Sequence, residues 1–368
     1  MKILFQSRST LFSVPGGDTV QLTSTAASLR RLGYIVDIST EIEPSLTGYD
    51  LVHLFNLMRP QEVYPQAINA KRQGRHIALS TIYGLYTEFE RKARPGFAGL
   101  ISRNVSHWQV ERLKVIARAI KNGEAGAGRF LVAGLGYKRG WERVAGLADV
   151  FLPNSLSEMH RVHADFRPSR AKPYVVVPNA VDIEVFDPDT VVVPEALRRF
   201  QGCVLSAARI EGRKCQLELV RAVKDLDVDL VLIGKPAPNH VGYYEAIKRE
   251  ATDRVHLVGQ VSHQELAQYY ATYKVHALVS WMETPGLSSL EAGAMGCNLV
   301  VTEKGDTRDY FFDEVDYCDP ESTASITAAL RRALSKPSEG RLKNRIRSEY
   351  TWEKAAEMTV KGYELAFG

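Results

Sequence analysis

The stretch Trp281-Met-Glu-Thr-Pro-Gly-Leu-Ser-Ser-Leu-Glu-Ala-Gly-Ala-Met-Gly296 decides the fold of the region around it. It follows the apolar run Val275-His-Ala-Leu-Val-Ser280 and precedes a second one, Asn298-Leu-Val-Val-Thr302. Short apolar runs bounded by turn residues are typical of buried parallel strands. The stretch between them therefore predicts a loop followed by a helix, in a strand, loop, helix, strand unit of a doubly wound α/β domain.

The loop and the start of the predicted helix carry groups that suit a phosphorylated, hydroxyl-rich ligand. Gly286 lets the backbone approach a ligand closely, and a helix beginning near Leu287 directs free N–H groups and its positive dipole end outward. Glu283 and Glu291, with seven residues between them, supply carboxylates for the hydroxyls of a sugar or a ribose. A nucleotide diphosphate sugar presents both kinds of group. The alternative is an ordinary amphipathic helix whose Glu291 faces solvent.

The whole string resembles the Glu-x7-Glu signature of retaining glycosyltransferases of the GT-B fold, specifically glycosyltransferase family 4. The resemblance implies that Glu283 contacts the donor sugar and Glu291 the ribose. It also implies a backbone cradle for the sugar and the diphosphate, formed by Pro285, Gly286, Leu287 and Ser288.

Other segments resemble further landmarks of that family. Arg209 and Lys214, in Leu205-Ser-Ala-Ala-Arg-Ile-Glu-Gly-Arg-Lys214, resemble its Arg-x4-Lys element, which implies that they neutralise the departing diphosphate. The alternative is a pair of surface cations at a helix start. The resemblance implies weaker roles in donor binding for the glycines and loop residues that follow other strands, namely Gly16, Gly17, Gly234, Lys235 and Val261. Gly305-Asp-Thr-Arg308 is either a wall of the sugar pocket or a surface loop.

Alternating apolar strands and amphipathic helices occur twice along the chain, which predicts two doubly wound, Rossmann-like domains. In the GT-B fold such domains face a central cleft. We assign residues 1–172 and 353–368 to an N-terminal, acceptor-side domain with a basic helical insertion at about 85–146. Residues 173–352 form a C-terminal domain that binds the nucleotide sugar, and the resemblance implies that the last helix crosses back onto the first domain.

Composition narrows the class of protein. Of the 368 residues, 45% are hydrophobic and 24% charged, as in globular proteins. No apolar run reaches the ~20 residues that span a bilayer, and the N-terminus lacks the anatomy of a signal peptide. We therefore expect a cytoplasmic protein. The four cysteines have no metal-ligand spacing, so we expect buried thiols and neither a disulfide framework nor a zinc site. The resemblance implies no cofactor, and we expect no metal requirement because protein cations neutralise the diphosphate.

The net charge of +4 is unevenly distributed. Between Leu85 and Gly146, twelve Lys or Arg residues against five Glu residues give a local charge of +7, interleaved with aromatic residues. One interpretation is peripheral contact with anionic lipid or a polyanionic acceptor. The alternative is a solvated helical face over a core of aromatic residues. No nucleic-acid-binding motif accompanies the charge.

One departure from the family concerns the loop after the fourth strand, where many members carry a His that contacts the donor sugar. The corresponding stretch here is Leu79-Ser-Thr-Ile-Tyr-Gly84, without His. Thr81 and Tyr83 are candidates for that space. His53 and His107 are looser candidates, although a lone His in an apolar strand is more often a satisfied core residue.

The resemblance therefore implies a retaining hexosyltransferase, which we expect to be metal-independent. Its donor is a nucleotide diphosphate sugar, and its acceptor is a saccharide or lipid-linked saccharide in the synthesis of a surface polysaccharide such as lipopolysaccharide. Two alternatives remain open. One is a nucleotide-sugar 2-epimerase, which shares the fold, and the other is a catalytically silent nucleotide-sugar-binding protein, favoured only by the missing His.

Overall fold

The structure is a computed structural model that describes residues 1–92, 109, 137–338 and 340–368. The chain divides into two compact units. The first unit consists of Met1–Asn179 and Trp352–Gly368, and the second unit of Ala180–Thr351. The boundary predicted from the sequence lay at residues 172 and 173, and the structural division lies at Asn179. Most of the basic segment at 85–146, including His107, lies outside the described residues.

The first unit is built on a parallel five-stranded sheet with the order β2-β1-β3-β4-β5. All residues of its middle strand are buried, as expected when helices cover both faces of a parallel sheet. The strands are β1 (Lys2–Gln6), β2 (Ile35–Ser39), β3 (Leu51–Phe55), β4 (His76–Ser80) and β5 (Val150–Leu152). The described helices are α1 (Gly17–Arg31), α2 (Pro60–Arg72), α3 (Thr87–Lys92), α4 (Tyr137–Leu147), α5 (Leu156–Asp165) and α13 (Trp352–Phe367).

The last helix, α13, belongs to the first unit and packs on it. A Cβ at Gly362 would lie 2.3 Å from Leu152 Cδ2, so the glycine allows α13 to approach β5 closely. The hydroxyl of Tyr363 on α13 lies 2.8 Å from Nδ1 of His53 in β3. These contacts attach the C-terminal helix to the core of the first unit.

The second unit repeats the architecture with a parallel six-stranded sheet in the order β11-β10-β9-β6-β7-β8. Its strands are β6 (Val204–Ala207), β7 (Leu230–Ile233), β8 (Val255–Gly259), β9 (Val275–Leu278), β10 (Asn298–Thr302) and β11 (Asp316–Cys318). Its described helices are α6 (Gln216–Val223), α7 (Val241–Glu250), α8 (His263–Thr272), α9 (Leu287–Ala294), α10 (Thr307–Phe311), α11 (Thr323–Ser335) and α12 (Gly340–Glu349).

The predicted strand, loop, helix, strand unit therefore exists as β9, a loop, α9 and β10. Strand β9 pairs with both β6 and β10, so the loops that follow β6 and β9 leave the same side of the sheet next to each other. This side, where the parallel strands end, is called the carboxyl edge below. Ligands of doubly wound folds bind at carboxyl edges.

Two further expectations concern the cysteine thiols and membrane-spanning helices. All four cysteines are free and buried, as predicted. Among the described residues, no helix is both long and apolar enough to cross a membrane.

Candidate active site

Glu283 follows β9 and is held by a backbone contact that the sequence did not identify. Its N–H donates to the carbonyl of Lys304 at 3.1 Å, and its own carbonyl accepts the N–H of Asp306 at 2.8 Å. Gly305, between those two partners, has a φ of +102°, and a Cβ there would lie 2.1 Å from the carbonyl oxygen of Glu283. Only glycine fits that position, so residues 304–306 form a wall against Glu283 instead of an exposed surface loop.

The side chain of Glu283 forms an ion pair with Lys214 through its Oε1. The two side chains are only 9% and 17% exposed, so the pair is largely shielded from water. Lys214 ends a short turn, Gly212–Lys214, and the next residue, Cys215, has a left-handed φ of +53°. The N–H of Trp281 donates to the carbonyl of Arg213 at 2.9 Å and ties the two loops together. The structure therefore brings together two residues that the sequence assigned to separate contacts.

Gly286 marks the start of α9 and also requires glycine. Its φ is +90°, and a Cβ would lie 2.5 Å from Leu278 Cδ2 and 3.4 Å from Glu283 Oε2. The second carboxylate oxygen of Glu283 therefore lies toward the start of the helix. Leu287 and Ser288 are half-buried between buried neighbours, and their N–H groups begin the helix without a carbonyl four residues earlier within it. This arrangement makes the start of α9 a positive end suited to an anion.

Glu291 is buried inside the second unit, with 9% of its surface exposed. The alternative of a solvent-facing helix surface is therefore wrong. Burial raises the pKa of Glu291 to about 7, and the hydroxyl of Tyr270, which donates to its Oε2 at 3.4 Å, only partly opposes that shift. A carboxylate in this environment gains from hydroxyl donors supplied by a ligand.

The loop from Arg209 to Lys214 is positioned by backbone bonds to the end of β7. The N–H of Ile210 donates to the carbonyl of Lys235 at 3.0 Å, and the side-chain amide of Gln216 donates to the carbonyl of Arg209 at 2.9 Å. A Cβ at Gly234 would lie 2.0 Å from the carbonyl oxygen of Ala208, so packing alone requires this glycine. The Arg209 side chain is exposed at the carboxyl edge of the sheet.

The remaining predicted donor contacts lie at the ends of neighbouring strands. Lys235 is exposed after β7, and Val261 is half-buried after β8, where it packs against the hydrophobic core. Pro285 is buried beside Gly286. No group of three or more His, Cys, Asp or Glu side chains in the described part of the chain is arranged to hold a metal ion.

Gly16 and Gly17 belong to the first unit, where α1 begins at Gly17. The N–H of Gly16 donates to the hydroxyl of Thr19 at 3.1 Å. Asp18, in the first turn, forms a two-pronged ion pair with the buried Arg8 at 2.7 and 3.0 Å. Burial alone would raise the pKa of Asp18, but hydrogen bonds from Arg8 and Asn56 and the charge of Arg8 hold it below its usual range. The start of α1 therefore already contains a carboxylate.

The loop after β4 places its polar side chains inward. Thr81 and Tyr83 are both buried. The hydroxyl of Thr81 and the backbone N–H of Tyr83 donate to the buried carboxylate of Glu158, on α5. His53 is a satisfied core residue, 2.9 Å from the hydroxyl of Ser80, and burial lowers its pKa to about 3. None of the three side chains is available for the place of the missing His. Glu158 itself was not predicted, since nothing near it in the sequence marks a contact with residue 81.

Comparisons with known proteins agree with this architecture. Residues 196–351 match the family described as Glycosyl transferases group 1, which confirms the resemblance at the level of that family. The chain is 27% identical to a subunit of the phosphatidylinositol N-acetylglucosaminyltransferase of Homo sapiens over 205 residues, covering 51% of this chain and 40% of that protein. It is 26% identical to D-inositol 3-phosphate glycosyltransferase of Corynebacterium urealyticum over 249 residues, covering 60% and 58%. The chain thus spans about half the length of these curated relatives.

Solved structures match over the whole chain. Sucrose-phosphate synthase from Thermosynechococcus elongatus has a TM-score of 0.73 at 16% identity, covering 100% of this chain and 99% of that one. Anabaena HepE in complex with UDP and glucose has a TM-score of 0.70 at 14% identity, covering 99% of both chains. At these identities the comparison concerns the fold, and it confirms the predicted GT-B class with its two parallel sheets.

Proposed function

We propose that this chain, whose residues 196–351 belong to the glycosyl transferases group 1 family, transfers a hexose from a nucleotide diphosphate sugar to a hydroxyl group of an acceptor. The observation that carries the proposal is the convergence of three features at one carboxyl edge of the second unit. These are the ion pair between Glu283 and Lys214, the start of α9, and the buried Glu291 about one turn along that helix.

The donor would use each of these features differently. Lys214, the exposed Arg209 and the N–H groups at the start of α9 neutralise the diphosphate, whose negative charge grows as it departs. Glu291, once ionised, accepts the ribose hydroxyls. Glu283 Oε1 is bound to Lys214, while its Oε2 lies toward Gly286 and accepts a hydroxyl of the donor sugar.

We propose that the anomeric configuration is retained. The bond between the anomeric carbon and the diphosphate oxygen breaks, and the acceptor oxygen bonds to the same face of that carbon. The acceptor proton passes to the departing phosphate oxygen. Glu283, already engaged by Lys214, suits the stabilisation of developing positive charge on the sugar better than nucleophilic attack. Protein cations balance the diphosphate charge in this scheme, so transfer should persist in the presence of a chelator.

The acceptor is proposed to be a saccharide or lipid-linked saccharide used in the synthesis of a surface polysaccharide such as lipopolysaccharide. Two relatives are named for acceptors that contain inositol, a polyol, which supports a hydroxyl-rich acceptor. The basic segment at 85–146 supports cytoplasmic, peripheral contact with an anionic membrane. Sedimentation with vesicles of anionic and of zwitterionic lipid tests this part. Salt-sensitive binding to the anionic vesicles alone is expected, and no binding at low salt would contradict it.

The enzymatic test uses UDP-glucose, UDP-N-acetylglucosamine and GDP-mannose with inositol phosphate and oligosaccharide acceptors. We expect one donor to yield a glycoside. The one-bond coupling constant between its anomeric carbon and anomeric proton, measured by NMR, should show the same anomeric configuration as in the donor. An inverted product would contradict the retaining mechanism. An epimer formed without acceptor would identify a 2-epimerase instead, and binding without turnover would identify a silent binding protein.

A further inference from the structure

The loop after β4 contains a backbone conformation that its residue does not favour. Ile82 has a φ of +44°, in the left-handed region that β-branched residues rarely adopt. The preceding residue, Thr81, lies just beyond β4 and is tied to the loop after β3, because its carbonyl accepts the N–H of Leu57 at 2.7 Å. The unfavourable turn therefore comes directly where the chain leaves the carboxyl edge of the first unit.

A single carboxylate oxygen bonds the residues on both sides of Ile82. Glu158 Oε1 accepts the hydroxyl of Thr81, and it also accepts the N–H of Tyr83 at 2.6 Å. The other oxygen, Oε2, accepts the N–H of Asn154 at 2.8 Å. Glu158 is fully buried, and its own N–H is capped by the hydroxyl of Ser155 at 2.8 Å. The carboxylate is therefore itself fixed while it holds the turn.

The chain after Ile82 is anchored by a buried aromatic side chain. The ring of Tyr83 packs edge-on against Trp141 and Phe166, with centroids 5.4 and 5.3 Å apart. Its hydroxyl donates to Asp165 at 2.6 Å. Ile82 is consequently flanked by two fully buried neighbours, while it is itself only half-buried. The surroundings determine the turn, and Ile82 is the residue of the three that reaches the surface.

We infer that Glu158 is a positioning residue that holds the left-handed turn at Ile82 ready for a substrate at the carboxyl edge of the first unit. Unfavourable backbone conformations persist where the surrounding structure imposes them, and they concentrate at functional sites. This inference rests on the proposed sugar transfer. The features suited to the nucleotide diphosphate lie in the second unit, so the turn should affect the transfer step and leave nucleotide affinity unchanged.

The test compares Glu158→Gln with two double variants. Glutamine has one acceptor oxygen where Glu158 has two, so it cannot satisfy the three donors from Thr81, Tyr83 and Asn154. Adding Ile82→Gly gives a residue that adopts positive φ without support, whereas Ile82→Ala removes the same side chain but keeps a Cβ. The alanine double variant is therefore the matched control for the glycine one.

Three quantities are measured on all four proteins, namely turnover, nucleotide affinity and hydrogen exchange. Release of nucleotide diphosphate from UDP-glucose, UDP-N-acetylglucosamine or GDP-mannose reports turnover, with the dissociation constant of the nucleotide measured beside it. Hydrogen exchange of residues 79–86 reports the turn. In Glu158→Gln we expect turnover to fall to roughly one tenth of the wild-type value or lower. We also expect faster hydrogen exchange of residues 79–86 and an unchanged nucleotide dissociation constant. We expect Ile82→Gly to restore much of the turnover and Ile82→Ala to restore little.

Equal recovery by the glycine and alanine variants would overturn the inference, because the turn would then be irrelevant. Unchanged exchange in Glu158→Gln, or turnover that falls only in proportion to the folded fraction, would also overturn it. If the wild type turns over none of the nucleotide sugars, the proposed function fails. In that case the exchange pattern alone decides whether Glu158 holds the turn.

Discussion

The loops at the carboxyl edges of the two sheets contain residues with positive φ, and these conformations are stabilised in different ways. In the second unit, the two positive-φ positions that lie against Glu283 are glycines, Gly286 and Gly305, while Cys215, next to Lys214, has a φ of +53°. In the first unit, the corresponding positions after β3 and β4 are Asn56 and Ile82, with φ of +77° and +44°. Glycine adopts such conformations by itself, whereas Ile82 depends on Glu158, a residue distant in sequence. The conformations of Gly286 and Gly305 therefore need no support from distant residues, whereas the turn at Ile82 depends on a tertiary contact.

The buried carboxylates of the two units also differ in the groups that stabilise them. Glu283 is balanced by the charge of Lys214, and Glu158 by hydrogen-bond donors from three residues. Glu291 has a long hydrogen bond from Tyr270, and its pKa is raised to about 7. Glu291 is thus the carboxylate for which a ligand that supplies hydroxyl donors would change the environment most.

The strongest test of the glycine side of this comparison is Gly305→Ala. Its Cβ would lie 2.1 Å from the carbonyl oxygen of Glu283, a backbone atom that cannot move alone. We expect the free energy of unfolding to fall by about 4 kcal/mol and transfer to be lost. Gly202→Ala is the control, because φ there is +84° with nothing within 4 Å of the added Cβ. Similar losses in chemical denaturation of both variants would show that the contact with Glu283 is unimportant.

Removing the cation from the ion pair tests how Glu283 is stabilised. Lys214→Met leaves the 9%-exposed Glu283 carboxylate without its charged partner. We expect a loss of about 3 kcal/mol, at the low end for buried pairs because Lys214 is 17% exposed. Adding Glu283→Gln should recover most of that stability while transfer stays absent. A double variant as unstable as the single one would show that the pair is not the source of the effect.

The raised pKa of Glu291 predicts a dependence of stability on pH. Its folded pKa of about 7 exceeds the ordinary value of 4.5, so the folded state binds the proton more tightly than the unfolded state. This contribution to stability is fully present below pH ~4.5 and is lost as pH rises through ~7. Glu291→Gln should therefore be more stable than the wild type by about 3 kcal/mol at pH 8, with a smaller advantage at pH 5. An advantage independent of pH would contradict the assignment.

The smallest expected effect concerns the first unit. Ile82→Gly in the wild-type background relieves an unfavourable φ but makes the unfolded chain more flexible and removes a half-buried side chain. We expect the free energy of unfolding to change by less than about 1 kcal/mol and turnover to stay close to that of the wild type. A large loss of stability would show that the Ile82 side chain, and not the turn, is what the loop requires.

The second unit could be predicted further from sequence than the first because its conformational requirements are local. Apolar runs located β6, β9 and β10, and Gly286 located the start of α9. Gly305 has the same kind of signature, a glycine shortly after a strand, but its contact with Glu283 appears only once β9 and β10 pair. The ion pair between Lys214 and Glu283 joins residues far apart in sequence and could not be read from either segment alone.

In the first unit, the contacts of the loop after β4 could not be predicted from the sequence. Thr81 and Tyr83 were the candidates for the place of the missing His, but their side chains point into the interior, because a buried carboxylate and an aromatic cluster hold them there. Glu158 lies at the third position of α5, where its sequence context indicates only a helix start. The predicted roles of Gly16 and Gly17 in donor binding stay predictions.

The most direct test of the central claim is thermal unfolding of the wild type and Glu291→Ala with UDP, GDP, dTDP and ADP. A nucleotide at a hundred times its dissociation constant adds ~2.7 kcal/mol of stability, which shifts the midpoint measurably. We predict that one nucleotide stabilises the wild type clearly and Glu291→Ala much less. If none of the four shifts the wild-type midpoint, the second unit is not a nucleotide-sugar site and the proposed function is contradicted.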